Sequence, residues 1–518
     1  KEGRVISLAG VGTMPKDASA DLFRNRRIKA GELMTLEPGG LKGFIPVAGL
    51  MPAIVPGMVE AGLVALKEFG TFSFGEVIAP SIELADAMPL DETRAGSIVR
   101  SRRFFELWPT SKAYFLPSPQ MPAPGDIFRQ PDLARTLRAM AAVEQRALKS
   151  GASRAAAIDA IRDYFYRGEI ARKIDAFSKA NGGLLRFEDM AAFRVKPEEP
   201  EHVTYRGYTV YKPGFWSQGP VFLQALNMLE PDNLAAMGHN SAPYLHKVVE
   251  TLKLAYADRD TYYGDPDVAK IPAKTLLSRE YALSRRAGIQ PEASMDFHPG
   301  TIQGKMGRHP AAERMGRTEI DDALMARDTT CITAMDKNGV MFAVTPSGAW
   351  LPSVIAGDTG IPLTQRAQSF LLIPGHPNEL AGGKRPRVTL SPTLVTKNGK
   401  PAMVLSTPGG DNQDQALLQI FLDVVEFGMD AQTAIEAPRF QTRHLVSSFD
   451  NHAMNPGDLL LDERIPGKVY ADLTGRGHKT SVRSRWASGA YPVLIRVLPN
   501  GALEAGADPY GYRNAEAW

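Results

Sequence analysis

Apolar residues recur at helical spacing through Val59, Leu63 and Leu66, and again across 74–87, 129–148, 153–166 and 169–181, so the first third of the chain predicts a series of amphipathic helices. Gly182-Gly183 stops the last of them. Residues 205–211 then read as a strand, 221–229 as a helix, and 241–260 as a long helix with Pro243 in its first turn. Beyond residue 328, short apolar strands come in pairs around Asn-Gly dipeptides: 332–335 with 341–345, 390–395 with 402–405, and 491–497 with 502–504. An amphipathic helix over 413–427 follows the second pair. Helices first and antiparallel hairpins second predict a layered α/β fold, with sheets packed between helices.

The stretch 291–327 is rich in Gly, Pro and charge and has no apolar period, which predicts a flexible loop leading into a strand. That strand opens Asp328-Thr329-Thr330-Cys331. Counting back from a two-residue Asn338-Gly339 turn pairs Lys337 with Val340, Thr333 with Val344 and Thr330 with Ser347, setting a hydroxyl across from the threonine pair. Two threonines alone are an ordinary strand start. The loop before them and the serine opposite make them a candidate for chemistry. If the Asp328–Thr329 peptide breaks, Thr329 becomes an N-terminal residue with a hydroxyl nucleophile and its own amine as base. Gly409-Gly410, between a strand and a helix, reads singly as a tight turn; at a helix N-terminus it also offers two unhindered backbone N–H groups to an oxyanion. Cys331 reads as a half-buried packing residue.

Composition narrows the classes. A chain of 518 residues, 44% hydrophobic and 23% charged, can bury a large core. Sixty Lys and Arg against 57 Asp and Glu leave +3, too balanced for a nucleic-acid surface. One cysteine excludes an internal disulfide, and nine histidines without close ligand spacing give no metal site. No phosphate loop is present, so no cofactor is expected. Lys384 to Arg387 reads as a basic surface turn. No stretch of about 18 apolar residues exists to span a membrane. The absence of an apolar leader points to the cytoplasm, and a start at Lys1 rather than Met leaves a removed targeting segment, and so the periplasm, open.

The blocks VPGMVEAGLVALKEFGT, APSIELAD, LRFEDMAAFRV, GHNSAPYLHKVVETLKLAYADRD, TTCITAMDKNG, KRPRVTLSPTL, GKPAMVLSTPGGDNQDQ and EFGMDAQTAIEAPRF resemble, in order, those of the γ-glutamyltranspeptidase family of N-terminal-nucleophile hydrolases. The resemblance runs over essentially the whole chain. It implies a four-layer αββα sandwich and a large segment 1–328, which looks N-terminally incomplete and ends in the loop at about 291–328. It implies a small segment 329–518 paired with the large one after self-cleavage, and admits a homodimer of such pairs. It also implies Thr329 as nucleophile, Asp328-Thr329 as the cleavage point, Ser347 as supporting hydroxyl, and Gly409 and Gly410 as the oxyanion pair.

The substrate anchors depart from the family. Val11 stands where the family has an Arg for the glutamate α-carboxylate, and Ala349 where it has an Asn. Its Asn-Asn-Gln/Glu-Met-Asp-Asp stretch is 364–369, Thr-Gln-Arg-Ala-Gln-Ser, and its Ser-Ser pair is Val388-Thr389. Each buried charged hydrogen bond is worth about 1.5–3 kcal/mol, so losing several removes most selectivity for glutamate. Arg366 and Thr389 become the candidate substrate contacts. The expected activity is hydrolysis of a non-glutamyl amide of a small acid or acyl group. A true γ-glutamyltransferase, a cephalosporin-type acylase and an unprocessed binding protein stand as alternatives.

Overall fold

The structure, a computed structural model, describes residues 3–32, 42–312, 329–449, 452–511 and 513–517. Asp328 and the last part of the expected loop, 313–328, lie outside the described residues. The expected helices of the first part form as α1 (Met58–Phe69), α2 (Phe74–Asp86), α3 (Pro131–Lys149), α4 (Arg154–Tyr166) and α5 (Glu169–Ala180). They pack around a core that includes Ile158, Ile161, Phe165 and Ile174 and reaches Val354, Ala356 and Leu363. Gly182, at φ 74°, ends this block in the left-handed conformation that a stop requires.

A six-stranded antiparallel sheet forms the centre. Its strands are β1 (Glu201–Tyr205), β2 (Tyr208–Lys212), β5 (Thr393–Lys397), β6 (Lys400–Ser406), β7 (Val493–Val497) and β8 (Leu503–Ala507), in spatial order β8-β7-β6-β5-β2-β1. The single strand expected over 205–211 is instead a turn between two strands, because Arg206 and Gly207 both take positive φ, 49° and 80°. One face of the sheet carries α6 (Pro220–Leu229) and α8 (Gln413–Val425), with α7 (Ala242–Tyr262) behind α6. Ser241 starts α7 by accepting the Tyr244 N–H at 3.3 Å. In α8, Leu417, Leu418, Ile420 and Phe421 are wholly buried, each worth about 1.5–3 kcal/mol.

The other face is covered by the hairpin β3 (Ile332–Met335) and β4 (Met341–Val344), which lies over β6, β7 and β5. The class is therefore α/β with two packed sheets and helical layers, as the sequence leads one to expect.

The register of this hairpin differs from expectation by one residue. Met341 pairs with Met335 and Ala343 with Thr333, so Val344 faces Ile332 rather than Thr333. The loop holds three residues instead of two: Gly339 N–H donates to Asp336 O at 3.0 Å, and the Asp336 carboxylate accepts the N–H groups of Asn338 and Val340, each at 2.9 Å. Gly339 alone is left-handed, φ 79°. The other Asn-Gly loop does close as expected, with Asn398 and Gly399 both at positive φ, 51° and 74°, and Lys397 facing Lys400. The third Asn-Gly loop, at Asn500-Gly501, also holds three residues, with Leu498 N–H donating to Ala502 O and Gly501 N–H to Leu498 O, each at 2.8 Å, so the dipeptide alone does not set the loop length.

Candidate active site

The shifted register carries Ser347 opposite Thr329 instead of Thr330. Thr330 N–H donates to Pro346 O at 3.2 Å, and the Thr329 and Ser347 hydroxyls lie 2.7 Å apart. Thr329 is buried and Thr330 exposed. Arg513 clamps both: Nη2 donates to Thr329 O at 3.4 Å and Nη1 to Thr330 Oγ1 at 3.3 Å. The next residue, Cys331, points inward beside Ser406, the last residue of β6. Burial pushes its thiol above the ordinary range, only partly offset by Ser406 and Arg513, so at neutral pH it is a protonated packing residue.

Three residues past Ser406 comes the glycine turn, Gly409 at φ 129° and Gly410 at φ 55°. A Cβ on Gly409 would stand 2.4 Å from Gly489 O, and one on Gly410 2.9 Å from Phe449 Cε2. Only glycine fits either position. The turn enters a short 3₁₀ segment, Gly410–Asn412, before α8 begins. Among the described residues neither glycine N–H has a hydrogen-bond acceptor, leaving both free for a ligand oxygen.

The back of this turn is held by buried polar groups. Gln218 Nε2 donates to Gly410 O at 3.0 Å, and Tyr256 OH donates to Asp411 O at 2.6 Å. The Asp411 carboxylate receives Arg259 Nη1 at 2.5 Å and the Ser448 hydroxyl and N–H at 2.6 and 2.9 Å. Arg259, wholly buried on α7, also donates to Gln218 Oε1, Asp260 Oδ1 and Val446 O. Burial would lower its pKa, but Asp260 and Asp411 outweigh burial and hold it above its ordinary value.

Arg366 has the opposite surroundings. Its guanidinium is buried with no hydrogen-bond partner for Nη1 or Nη2 among the described residues, lying 4.5 Å from the Trp350 ring centroid and 6.0 Å from that of Phe449. Its Nε lies 3.4 Å from the Cβ position of Gly348, the neighbour of Ser347. Burial alone pulls its pKa down to about 9, so it is still a cation at neutral pH. The Ser369 hydroxyl in the same 3₁₀ turn and the Trp350 indole N–H are also buried without partners. Next to this turn, Val11, Val388, Ala367 and Phe370 share one apolar cluster.

The structure thus gathers Thr329, Ser347, Gly409, Gly410 and Arg366 at one end of the two sheets. Thr389 is buried beside Val388, whose backbone pairs with Trp216 and Gln218. It is Val388, not Thr389, that bonds to Gln218, and among the described residues Thr389 makes no hydrogen bond to Thr329 or Arg366. The basic surface turn expected at 384–387 is instead buried. Arg385 grips Asp265 and Glu198, and Arg387 donates to Ser448 Oγ at 2.9 Å. His246, Glu250 and His478 do come together. Their ligand atoms are occupied, however: the His246 and His478 rings bond at 2.9 Å, His246 Nε2 meets Gln290 O, and Lys253 holds Glu250 at 2.6 Å. His478 Nδ1 alone is buried without a hydrogen-bond partner among the described residues, and the bonds within the cluster read as structural. Sequence reasoning missed Arg513, Trp350, Phe449, Gln218, Arg259 and Asp411. The signal for Arg259 was there, since a helix apolar on most faces carries Asp258-Arg259-Asp260 where no solvent face exists.

The family model described as gamma-glutamyltranspeptidase matches residues 1–518. The glutathione hydrolase proenzyme of Pseudomonas sp. (strain A14) is 32% identical over 418 residues, 77% of this chain and 66% of that protein, so this match spans slightly less than two thirds of the relative's length. The acylase ACY 1 proenzyme of Pseudomonas sp. (strain V22) is 28% identical over 98% of this chain and 81% of its own. Among solved structures, the cephalosporin acylase from Bacillus halodurans superposes with a TM-score of 0.80 at 25% identity, covering 100% of this chain and 85% of that one.

Proposed function

The chain belongs to the γ-glutamyltranspeptidase family, and from that premise we propose that it is an autoprocessing amidohydrolase acting on a non-glutamyl amide. The observation that carries this proposal is the buried hydroxyl pair, Thr329 with Ser347 at 2.7 Å, at the start of a strand directly after residues 313–328. Thr329 Oγ attacks the carbonyl carbon of the preceding peptide. The bond to nitrogen breaks as the amine is protonated, and water hydrolyses the resulting ester, leaving Asp328 as a carboxylate and Thr329 with a free amine. The large and small segments stay together after the cut, since the central sheet takes β1 and β2 from before residue 328 and β5 to β8 from after it.

In the mature enzyme the Thr329 amine, with a reference pKa near 8, accepts the hydroxyl proton as Oγ adds to the amide carbonyl. The N–H groups of Gly409 and Gly410 receive the oxyanion. The proton passes to the leaving amine, and water then cleaves the acyl ester. Ser347 orients the nucleophile. Arg366 takes a carboxylate on the acyl group, because an unpaired buried guanidinium costs several kcal/mol until an anion joins it. Thr389 is the second candidate substrate contact. A γ-glutamyl group carries that one carboxylate and an ammonium besides, for which Val11 and Val388 offer no acceptor, and this disfavours glutamate. The acylase relatives support an acyl amide as substrate, and the proenzyme names support the cut.

The test is hydrolysis of anilides by purified, cleaved protein. Succinyl, glutaryl and adipoyl anilides should exceed pentanoyl anilide in kcat/KM by roughly 10-fold or more, with γ-glutamyl anilide below all three. A γ-glutamyl donor that gave the highest kcat/KM would make the chain an ordinary glutamyl enzyme and overturn the assignment.

A further inference from the structure

The buried charges behind the glycine turn do more than fill the core. Gly409 and Gly410 both have left-handed backbone, and among the described residues the side chains that fix the carbonyls of the turn are Gln218, on Gly410 O, and Tyr256 and Gln415, on Asp411 O. Gln218 is itself aimed by Arg259, whose Nη1 donates to Gln218 Oε1 at 3.0 Å and to Asp411 Oδ1 at 2.5 Å. One nitrogen therefore anchors the peptide that follows Gly410, through the side-chain amide on Gly410 O, and the side chain of the next residue, so the planes carrying the Gly409 and Gly410 N–H groups are held from the residue that follows them. The same carboxylate holds Ser448 by both its hydroxyl and its N–H, and Ser448 precedes Phe449, whose ring closes on Gly410 and on Arg366. Arg387 and Asp260 complete the shell: Arg387 donates to Ser448 Oγ, and Asp260 takes Arg259 Nε and the Val446 N–H.

From this geometry we infer that Arg259, acting through Gln218 and Asp411, is a positioning residue that aims the Gly409 and Gly410 N–H groups at the tetrahedral oxyanion. It touches no substrate atom. A peptide plane held only by its neighbours could rotate about the flexible glycine φ and ψ angles, and an oxyanion donor is effective only when fixed before charge develops. Arg259 supplies that fixation from a side of the turn the substrate never reaches. The inference rests on the amidohydrolase reading above and adds to it the device that holds the oxyanion pocket in place.

The experiment uses cleaved full-length protein carrying Gln218→Met, which removes only the bond to Gly410 O and its link to Arg259, and in parallel Arg259→Lys, which keeps the charge but cannot reach four acceptors at once. Three quantities are measured: kcat and KM on the best anilide, the affinity for glutarate as a product-like ground-state ligand, and the affinity for 4-boronobutanoic acid, which forms a tetrahedral adduct on the Thr329 hydroxyl. Gln218→Met should lower kcat about 30-fold with KM within about threefold, weaken the boronate by the same factor as kcat/KM, and leave glutarate affinity unchanged. Arg259→Lys should show the same split with a larger factor. Equal loss of glutarate and boronate affinity, or a raised KM with kcat intact, would reduce the network to a structural role and overturn the inference. If wild-type protein neither hydrolysed any anilide nor bound the boronate, the amidohydrolase reading itself would fall, and this inference with it.

Discussion

Arg259 and Arg366 are both fully buried cations bordering the glycine turn, one behind it and one in front through the Phe449 ring, yet their surroundings are opposite. Arg259 donates to Asp411, Gln218, Asp260 and Val446 and is held above its usual pKa. Arg366 has no acceptor for Nη1 or Nη2 among the described residues and is pulled down to about 9. A saturated buried arginine belongs to the scaffold. An unsaturated one, beside a hydroxyl pair and two free N–H groups, is the side chain to which the proposed function gives the substrate carboxylate.

The comparison breaks most sharply in stability. Arg259→Met strands the Asp411 and Asp260 carboxylates in the core, a loss of about 3–5 kcal/mol that thermal or urea denaturation would show. A fall below about 1 kcal/mol would mean that the network is slack. Arg366→Met should act in the opposite direction, raising stability by on the order of 1 kcal/mol, because it removes a buried charge with nothing to pair it. The sign follows from linkage. With the folded pKa near 9 and the unfolded value at the ordinary, much higher arginine value, the unfolded state binds more protons between them. The penalty is therefore full at neutral pH and fades as pH rises above about 9, so the gap between wild type and variant should narrow there. A destabilised Arg366→Met would show that its stacking on Trp350 outweighs the cost of the buried charge. The smallest effect belongs to Cys331, next along the strand: Cys331→Ala should leave kcat/KM within about twofold, and iodoacetamide should alkylate the thiol slowly at pH 7, because its pKa is raised.

Much of this site was legible in the chain because local rules specify it. Helical periodicity located α1 to α5, and a glycine pair ahead of a helix located the turn at 409–410. Two kinds of information were not local. The register of the first hairpin depended on the Asp336 carboxylate binding two loop N–H groups, and a one-residue error there moved the serine from Thr329 to Thr330. Burial of charge also escaped: Arg385 and Arg387 read as a basic surface turn because their acids, Asp265 and Asp260, come from residues more than a hundred positions away. Arg366, by contrast, was visible as a new charge where the family carries a neutral or acidic residue. Its lack of a partner could be seen only in the fold.

The central claim is that Thr329 is a nucleophile released by the chain's own cleavage, and it is tested most directly by mass spectrometry and N-terminal sequencing of purified protein after brief acylation with p-nitrophenyl acetate at mildly acidic pH. The account predicts a fragment of residues 329–518 beginning Thr-Thr-Cys-Ile and carrying one acetyl group on Thr329, and a single uncut, unlabelled chain for Thr329→Ala. The same two fragments from Thr329→Ala, or an acetyl group found on Cys331 instead, would contradict it.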